Sequence, residues 1–600
     1  MIRRIALCLL VVGGISVAGT GCGESQQGSI PAREITFPVL WAGTDAKGLP
    51  TGGIEPAGIA AETTDDPGFT VALDDIQAKG AGPQWLASTA MAGAVATLAS
   101  GVNPSSVDLG YTITGPIDGP SGGAALTVGT LAVIRGDAIR PKVAMTGTVS
   151  PDGTIGAVSG VPTKIRAAAA AGYTTVLIPP GSINEYDPKS GREVHLPTFG
   201  KSLGVTVRVV QGIAQAYPVF TGKSLAPPIT GTPDITPQAQ SVARRITRRS
   251  VAALSAAGAP ASDVQAATRA LAAGNLPLAY AVALDARQRA ARSTAAARTR
   301  TAIAQSGLES VKARLVSQAA SLATQAEAAT TRDANPAGLD AGQWMTLPAA
   351  LGWVTYAQAN AQGVGTFFGQ QDRVTETSLV DAARVLADVR LAIATFGPDA
   401  VAMVRASPST RTMSEADAVA FLSGDTNFMV RAGAANKDLY EKVSRGQVGA
   451  GTAGDILLSF NALSGTVAQT PQQQDPLLAE IVQSARALTF YVLGNTLVTG
   501  SSLGLSGFGL GSDPTTAAPA RLEYAVTASA AGTDAWLGYD QAQGWNVSPG
   551  AWSSAWGTAM YTSLKTGPRR TAGAVIALNE LWYAGINGLM LRAAAQVPAP

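Results

Sequence analysis

The sequence predicts an α+β domain in the first third of the chain and a mainly α-helical region in the rest. Segments rich in β-branched residues alternate with apolar, helix-like segments up to about residue 210. A proline-rich stretch then occupies 224–238, and alanine-rich segments run from there to the end. β-Branched residues favour strands, and alanine favours helices. A chain of 600 residues is also too long for one hydrophobic core, so several domains are expected.

The α+β domain is predicted over 35–223. Its predicted strands are 37–41, 69–73, 107–114, 143–149 and 205–210, and its predicted helices are 85–99, 121–134 and 162–171. Ser150-Pro151-Asp152-Gly153 is typical of a turn, which would fold the fourth strand back onto 154–158. Residues 224–238 contain four prolines and are predicted to be a linker.

The Ala-rich remainder, 239–600, is predicted to be helical, either as one unit or as two subdomains. A helix over 377–396 is expected to end at Gly397-Pro398. Arginines are frequent between Arg244 and Arg300, which favours solvated helix faces over a binding surface for an acidic partner or polymer. The late tryptophans favour a helical core over an aromatic groove; they are Trp536, Trp545, Trp552, Trp556 and Trp582. The expected role of this region is binding or scaffolding.

The N-terminus is typical of a secretory signal peptide. Arg3 and Arg4 precede an apolar run that is too short to span a bilayer comfortably. Cys22 follows small residues at the place where lipoprotein signals carry their acceptor cysteine, and the only other cysteine is Cys8. We therefore predict a signal peptide over 1–22 with lipidation at Cys22, a polar tether over 23–34, and an extracytoplasmic, membrane-anchored protein of the cell envelope. Cleavage with secretion and an uncleaved anchor are the alternatives.

The composition excludes several classes of site. With one histidine, His195, and no cysteine after Cys22, the sequence argues against zinc sites and cysteine proteases, and no metal or cofactor is expected. We interpret His195 as a partly exposed loop residue. The segment ending in Gly222-Lys223-Ser224 has Tyr217 where a P-loop requires its first glycine, so no ATPase module is predicted. The net charge of +2 does not indicate a nucleic-acid partner.

Ser121 lies in a glycine- and proline-rich turn, GPSGG, before an apolar helix-like segment. Taken alone, it fits a helix N-cap. Alternatively, its hydroxyl is a nucleophile, because free backbone N–H groups at a helix start can stabilise an oxyanion.

Lys164 lies in the first turn of the predicted helix 162–171. A lysine there is electrostatically unfavourable, so the helix dipole and partial burial favour its neutral form. A neutral lysine can take a proton from serine. The alternative is a solvated surface lysine.

Three blocks in register closely resemble the proteolytic domain of Lon-type proteases, which use a Ser-Lys dyad. They are Asp118-Gly119-Pro120-Ser121-Gly122-Gly123, the strand from Pro141 to Gly147, and Gly160-Val161-Pro162-Thr163-Lys164 with the helix and strand after it. Thr148 and the Ser159 to Pro162 lead depart from the family pattern. The resemblance implies that Ser121 is the nucleophile and Lys164 its general base.

The resemblance also implies supporting roles. Thr146 would orient the lysine amine, backbone groups around Gly119 to Gly122 would form the oxyanion hole, and Asp118 would shape the loop. The expected function is an ATP-independent serine endopeptidase that cleaves unfolded or flexible protein segments through an acyl-enzyme, with homo-oligomerisation left open. The alternative is a catalytically silent Lon-like scaffold in an envelope binding or assembly protein.

Overall fold

The computed structural model describes residues 30–63, 68–102, 104, 106–225, 232–444, 452–467, 475–502, 517–566 and 569–595. The predicted signal peptide, Cys22, most of the predicted tether and the central part of the predicted linker lie outside these residues. Within them, an α+β first part is followed by a mainly helical region, so the predicted fold class is confirmed.

The first part begins with a four-stranded sheet. Its strands are β1 (Arg33–Thr44), β2 (Pro50–Thr63), β3 (Gly68–Ala72) and β4 (Ser106–Thr112), in the order β1-β2-β4-β3. β1 and β2 form a long antiparallel hairpin, and β3 lies parallel to β4. Helices α1 (Asp74–Ala78) and α2 (Pro83–Ser100) connect β3 to β4.

A second, parallel sheet carries the candidate site. It contains β5 (Val143–Met145), β8 (Thr175–Ile178) and β11 (Thr206–Val209) in the order β11-β8-β5. Two small hairpins flank it: β6 (Thr148–Val149) with β7 (Ile155–Gly156), and β9 (Asn184–Asp187) with β10 (Arg192–His195). The helices of this part are α3 (Gly123–Arg135), α4 (Val161–Ala170), α5 (Leu196–Ser202) and α6 (Ile213–Thr221).

The sequence predicted several of these elements incompletely. The strand that opens the domain begins at Arg33, two residues before the predicted boundary at Ile35. The predicted strand 143–149 is two strands, β5 and β6, separated at Thr146-Gly147. Strand β2 was not predicted, because its glycines and prolines lower the local strand propensity. Hydrogen-bonded pairing with β1 on one side and β4 on the other stabilises it as a strand.

Thirteen helices are described in the second region: α7 (Pro237–Ala252), α8 (Ala261–Ala272), α9 (Leu276–Asp333, interrupted at Gly307), α10 (Ala341–Ala350), α11 (Gly352–Gln370), α12 (Glu376–Leu391), α13 (Gly397–Arg405), α14 (Glu415–Ser444), α15 (Thr452–Thr466), α16 (Pro476–Ser502), α17 (Ala517–Ala542), α18 (Ser548–Leu564) and α19 (Arg570–Ala594). The first of them starts inside the predicted linker, where the Thr236 side chain accepts a hydrogen bond from the Ala239 N–H.

The predicted helix end at Gly397-Pro398 is wrong. A π-helical turn, Ala392–Phe396, joins α12 to α13, and Pro398 occupies the first turn of α13. A proline is tolerated there because the first N–H groups of a helix have no intrahelical partner.

The predicted solvated arginine faces are only partly right. Several of these arginines form ion pairs between helices, such as Arg289 with Asp263 and Arg292 with Asp388. They therefore help to hold the helices together. The five late tryptophans are all buried, so the core interpretation is confirmed.

Two helices in the described part of the chain are long and apolar enough to cross a membrane, within Pro476–Gly500 and Arg570–Ala594. In the apolar 18-residue window of each helix, 72% and 89% of the window are buried inside the protein. Length and composition alone are weak indicators of a membrane span, and core helices share them. We interpret both as core helices, and one hydrophobic core runs continuously from the sheet region into them.

The helical region contacts the first part at the β6–β7 turn. The Trp536 indole N–H donates to the Asp152 carbonyl at 2.9 Å, and the Ser529 hydroxyl bonds the Asp152 carboxylate. Helix α19 approaches the same turn so closely that a methyl group on Gly585 would lie 2.6 Å from Cβ of Asp152.

Replacing Gly585 by alanine is therefore expected to destabilise the protein by about 1–3 kcal/mol, because α19 and the turn must move apart. The matched control is Gly369→Ala in α11, where no atom lies within 4 Å of the added methyl group. That change is expected to be neutral or stabilising, since alanine favours helix. Thermal unfolding midpoints test this, and equal shifts in the two variants would contradict close packing at the turn.

Candidate active site

Ser121 lies in a 3₁₀ turn, Pro120–Gly122, directly before α3. The turn depends on glycine at both ends. Gly119 has φ of 113°, in the region that favours glycine, and a methyl group on Gly122 would lie 2.7 Å from the Trp85 ring. Helix α3 starts at Gly123 and has no side-chain cap, so the interpretation of Ser121 as a helix cap is wrong.

Lys164 lies in the first turn of α4 and is only 2% exposed, so the surface-lysine alternative is wrong. Burial lowers the pKa of its amine from 10.5 to about 8, while the nearby Glu185 carboxylate acts in the opposite direction. The lowered pKa makes the neutral fraction near neutral pH far larger than that of an ordinary lysine, as a general base requires.

Thr146 joins the two predicted catalytic residues. Lys164 Nζ donates to Thr146 Oγ1 at 3.0 Å, and this hydroxyl in turn donates to the Ser121 carbonyl at 3.3 Å. The same carbonyl accepts the Gly147 N–H at 2.9 Å, which ties the serine turn to the end of β5. Thr146 is fully buried, and its N–H bonds the Leu177 carbonyl of β8. The structure thus gathers Ser121, Thr146 and Lys164 at one end of the parallel sheet.

Asp118 lies in the loop that leads to Ser121, three residues before it. Its Oδ1 accepts the N–H groups of Gln84, Trp85 and Gly119, at 2.9, 3.1 and 2.8 Å. Two of these belong to the first turn of α2, so the carboxylate caps that helix and fixes the loop that leads to Ser121. These bonds are structural and give Asp118 no proton-transfer role.

Glu185 on β9 was not predicted from the sequence. Its carboxylate accepts the N–H groups of Gly160 and Val161 and thereby caps α4, the helix that carries Lys164. Burial raises the pKa of Glu185, and its negative charge favours the protonated form of the lysine. No sequence pattern around Glu185 indicated a role at the site. Its position depends on the β9–β10 hairpin, which was not predicted either.

A second contact fixes the same hairpin to α4. Arg166 forms two hydrogen bonds of 2.7 Å with the Asp187 carboxylate, and this guanidinium lowers the pKa of Asp187. This ion pair fixes the β9–β10 hairpin against α4 and so keeps Glu185 next to the start of that helix.

His195 is exposed and ends strand β10, so its predicted loop position is wrong while its predicted exposure is right. Its Nδ1 lies 2.9 Å from Thr198 Oγ1. This hydrogen bond accounts for the histidine locally.

Comparison with known proteins identifies the region around these residues. Residues 112–190 match the sequence model of the Lon protease (S16) C-terminal proteolytic domain. This stretch is a Lon-type proteolytic domain, a domain of serine-peptidase type. It includes Ser121, Thr146, Lys164 and the newly identified Glu185.

Curated relatives match short stretches of the chain. A Lon protease of Methylocella silvestris is 40% identical over 80 residues, which cover 13% of this chain and 10% of that protein. A Lon protease of Acinetobacter baumannii is 32% identical over 130 residues, covering 22% and 15%. Lon protease 2 of Bacillus subtilis is 41% identical over 81 residues, covering 13% and 15%. The matched part thus spans at most 15% of these relatives' length.

Proposed function

We propose that the chain is a serine endopeptidase of Lon type that cleaves protein segments without ATP, with Ser121 as nucleophile and Lys164 as general base. The observation that carries this proposal is the buried Lys164 amine, with its lowered pKa and its hydrogen bond to Thr146. A buried lysine without a carboxylate in hydrogen-bond contact is unfavourable for folding, and a catalytic role provides the reason for keeping it.

In the proposed reaction, neutral Lys164 Nζ takes the Ser121 hydroxyl proton while Oγ bonds to the scissile carbonyl carbon. Backbone N–H groups of the turn around Gly119 to Gly122 stabilise the oxyanion; Pro120 has none to offer. The C–N bond then breaks, and the lysine ammonium gives its proton to the leaving amine. Water then attacks the resulting ester, and Lys164 Nζ accepts a proton from this water. The lysine ammonium passes that proton to Ser121 Oγ as the bond between Oγ and the acyl carbon breaks, which restores the serine hydroxyl.

The proposed substrates are unfolded or flexible segments. No P-loop is present in the sequence, and helices α14, α16, α17 and α19 contribute walls to a cavity beside the serine turn. A cleft enclosed on that side favours an extended chain over a folded surface.

Incubation of the purified protein with a permanently unfolded polypeptide, with and without ATP, tests this function. The expected result is the same set of new termini in both reactions, identified by mass spectrometry. No new termini in either reaction would favour the catalytically silent scaffold.

We also propose an extracytoplasmic, membrane-anchored location, supported by the signal-like N-terminus and the position of Cys22. Cys22→Ser is expected to shift the protein from the membrane fraction to the soluble extracytoplasmic fraction. Unchanged membrane association of this variant would contradict lipidation.

A further inference from the structure

A cavity of about 80 Å³ lies between the Lon-type domain and the helical region, directly beside the candidate nucleophile. Pro120, which precedes Ser121, forms part of its wall, and so does the β6–β7 hairpin that follows Thr146. The helical region supplies the opposite wall, with Asn436 from α14, Asn495 from α16, Tyr524 from α17 and Trp582 from α19. The cavity is therefore built by both parts of the chain.

Two residues that line this cavity carry buried polar atoms with no hydrogen-bond partner among the residues that the structure describes. The atoms are Tyr524 Oη and Trp582 Nε1. Such atoms are costly, since each buried donor or acceptor without a partner loses its hydrogen bond to water. The indole N–H can only donate, so its ligand must present an acceptor, and the tyrosine hydroxyl can donate to the same kind of group. A ligand oxygen therefore satisfies both atoms.

The charges around the cavity favour the same ligand. Of the described residues that line it, Arg521 alone is charged, and none is a carboxylate. A cationic side chain would meet an arginine and several donors there, whereas an amide or carboxylate oxygen would be stabilised.

Helix α17 connects this cavity to the lysine side of the site. The Tyr524 ring lies close to the turn Pro180–Ser182, because a methyl group on Gly181 would lie 3.7 Å from its Cδ1. The Arg521 cation also acts on Glu185, the residue that caps the helix of Lys164. One helix of the second region thus lies alongside both halves of the predicted dyad.

We propose that this cavity is a specificity pocket that binds a substrate side chain next to the scissile bond, and that it selects glutamine or glutamate. The inference rests on the proposed peptidase function and assigns the helical region a direct part in substrate choice. Tyr524 and Trp582 donate to the oxygen at the tip of the side chain, and Arg521 adds its charge when that oxygen belongs to a carboxylate.

The test uses four peptides that are identical except for the two residues that flank the cleaved bond. Both residues are glutamine in the first peptide, glutamate in the second, methionine in the third and lysine in the fourth. Methionine resembles glutamine in size but has no oxygen. We expect the wild type to cleave the glutamine or glutamate peptide about tenfold faster, by kcat/KM, than the methionine peptide, and the lysine peptide most slowly. Tyr524→Phe and Trp582→Phe should each lower the ratio of kcat/KM for the glutamine or glutamate peptide to kcat/KM for the methionine peptide about fivefold.

Further variants sharpen the test. Tyr186→Phe is the matched control, because this tyrosine is exposed and lies outside the cavity lining, and it should keep the wild-type preference. Arg521→Gln distinguishes the carboxylate of glutamate from the amide of glutamine. This variant should lower the preference for the glutamate peptide over the methionine peptide and leave the preference for the glutamine peptide unchanged. Equal cleavage of the glutamine, glutamate and methionine peptides by the wild type, or an unchanged preference in both Tyr524→Phe and Trp582→Phe, would overturn the pocket assignment.

A binding measurement separates failure of the pocket from failure of the peptidase function. Titration calorimetry of the full Ser121→Ala protein with the same peptides reports selectivity without catalysis. If the wild type cleaves nothing but this variant binds glutamine or glutamate over methionine, the peptidase proposal falls and the pocket stands. If the wild type cleaves but the variant binds all four peptides equally, the pocket falls and the peptidase proposal stands.

Discussion

Replacement of Ser121 by alanine is expected to lower kcat/KM for an unfolded polypeptide at least about a thousandfold. The variant loses the atom that forms the acyl-enzyme, and Ser121 is the serine whose carbonyl accepts from Thr146, the hydrogen-bond partner of Lys164. The turn itself should persist, because its contacts to Gly147 and Thr146 use the Ser121 carbonyl. Initial cleavage rates and the thermal unfolding midpoint, measured on the same preparation, check both parts of the expectation.

Ser202→Ala is the matched control for this change. Ser202 is exposed at the end of α5, where its hydroxyl donates to the Phe199 carbonyl at 2.7 Å. It should retain wild-type cleavage. Wild-type rates in Ser121→Ala would show that the reaction does not pass through this hydroxyl.

Replacement of Lys164 by methionine is expected to lower activity strongly and to stabilise the protein at pH 7. General-base catalysis contributes about a hundredfold to ten-thousandfold, so a loss within that range is expected. The pKa of the amine falls from 10.5 to about 8 on burial, which corresponds to about 3 kcal/mol of unfavourable free energy below pH 8. The methionine variant is free of this unfavourable term and is therefore more stable, but loss of the hydrogen bond between Lys164 and Thr146 offsets about 1 kcal/mol of that stabilisation.

The pH dependence of this stabilisation has a defined sign. Because the folded-state pKa lies below the unfolded value, the lysine disfavours folding most below pH 8, and this penalty fades as the pH rises toward 10.5. The stability difference between wild type and Lys164→Met should shrink over that window. Lys201→Met, at an exposed position, serves as control and should change stability by less than about 0.5 kcal/mol. Lower stability of Lys164→Met at pH 7 would contradict a strained, buried amine.

The predicted dyad came from the resemblance to Lon-type proteases, because the residues around Ser121 and Lys164 taken alone left a helix cap and a surface lysine open. Local sequence signals did predict the turn and the helix that carry these two residues. The serine turn and the start of α4 are short segments in which glycine, proline and one reactive residue occur together, and these patterns depend little on distant contacts. For the same reason, the parallel strand β11 falls where β-branched residues cluster and was predicted, whereas the neighbouring strand β8 was not among the predicted strands.

Features that depend on long-range contacts were not predictable in this way. β2 is a strand because neighbours pair with it on both sides, despite its glycines and prolines. Glu185 caps α4 across a hairpin of low strand propensity. Tyr524 and Trp582 reach the cavity from helices that begin about 400 and about 450 residues beyond Ser121 in the chain, and no periodicity relates such distant segments.

The pH dependence of Ser121 reactivity tests the central claim most directly. The rate at which a fluorophosphonate modifies Ser121, followed by mass spectrometry, should rise about tenfold per pH unit and level off near pH 8, where Lys164 becomes neutral. Glu185→Gln removes the charge that favours protonated lysine, so its inflection should move to lower pH, while Glu193→Gln on β10 should leave the inflection in place. An inflection near 10.5, or a rate that does not change between pH 6 and 9, would contradict activation of Ser121 by a buried, neutral Lys164.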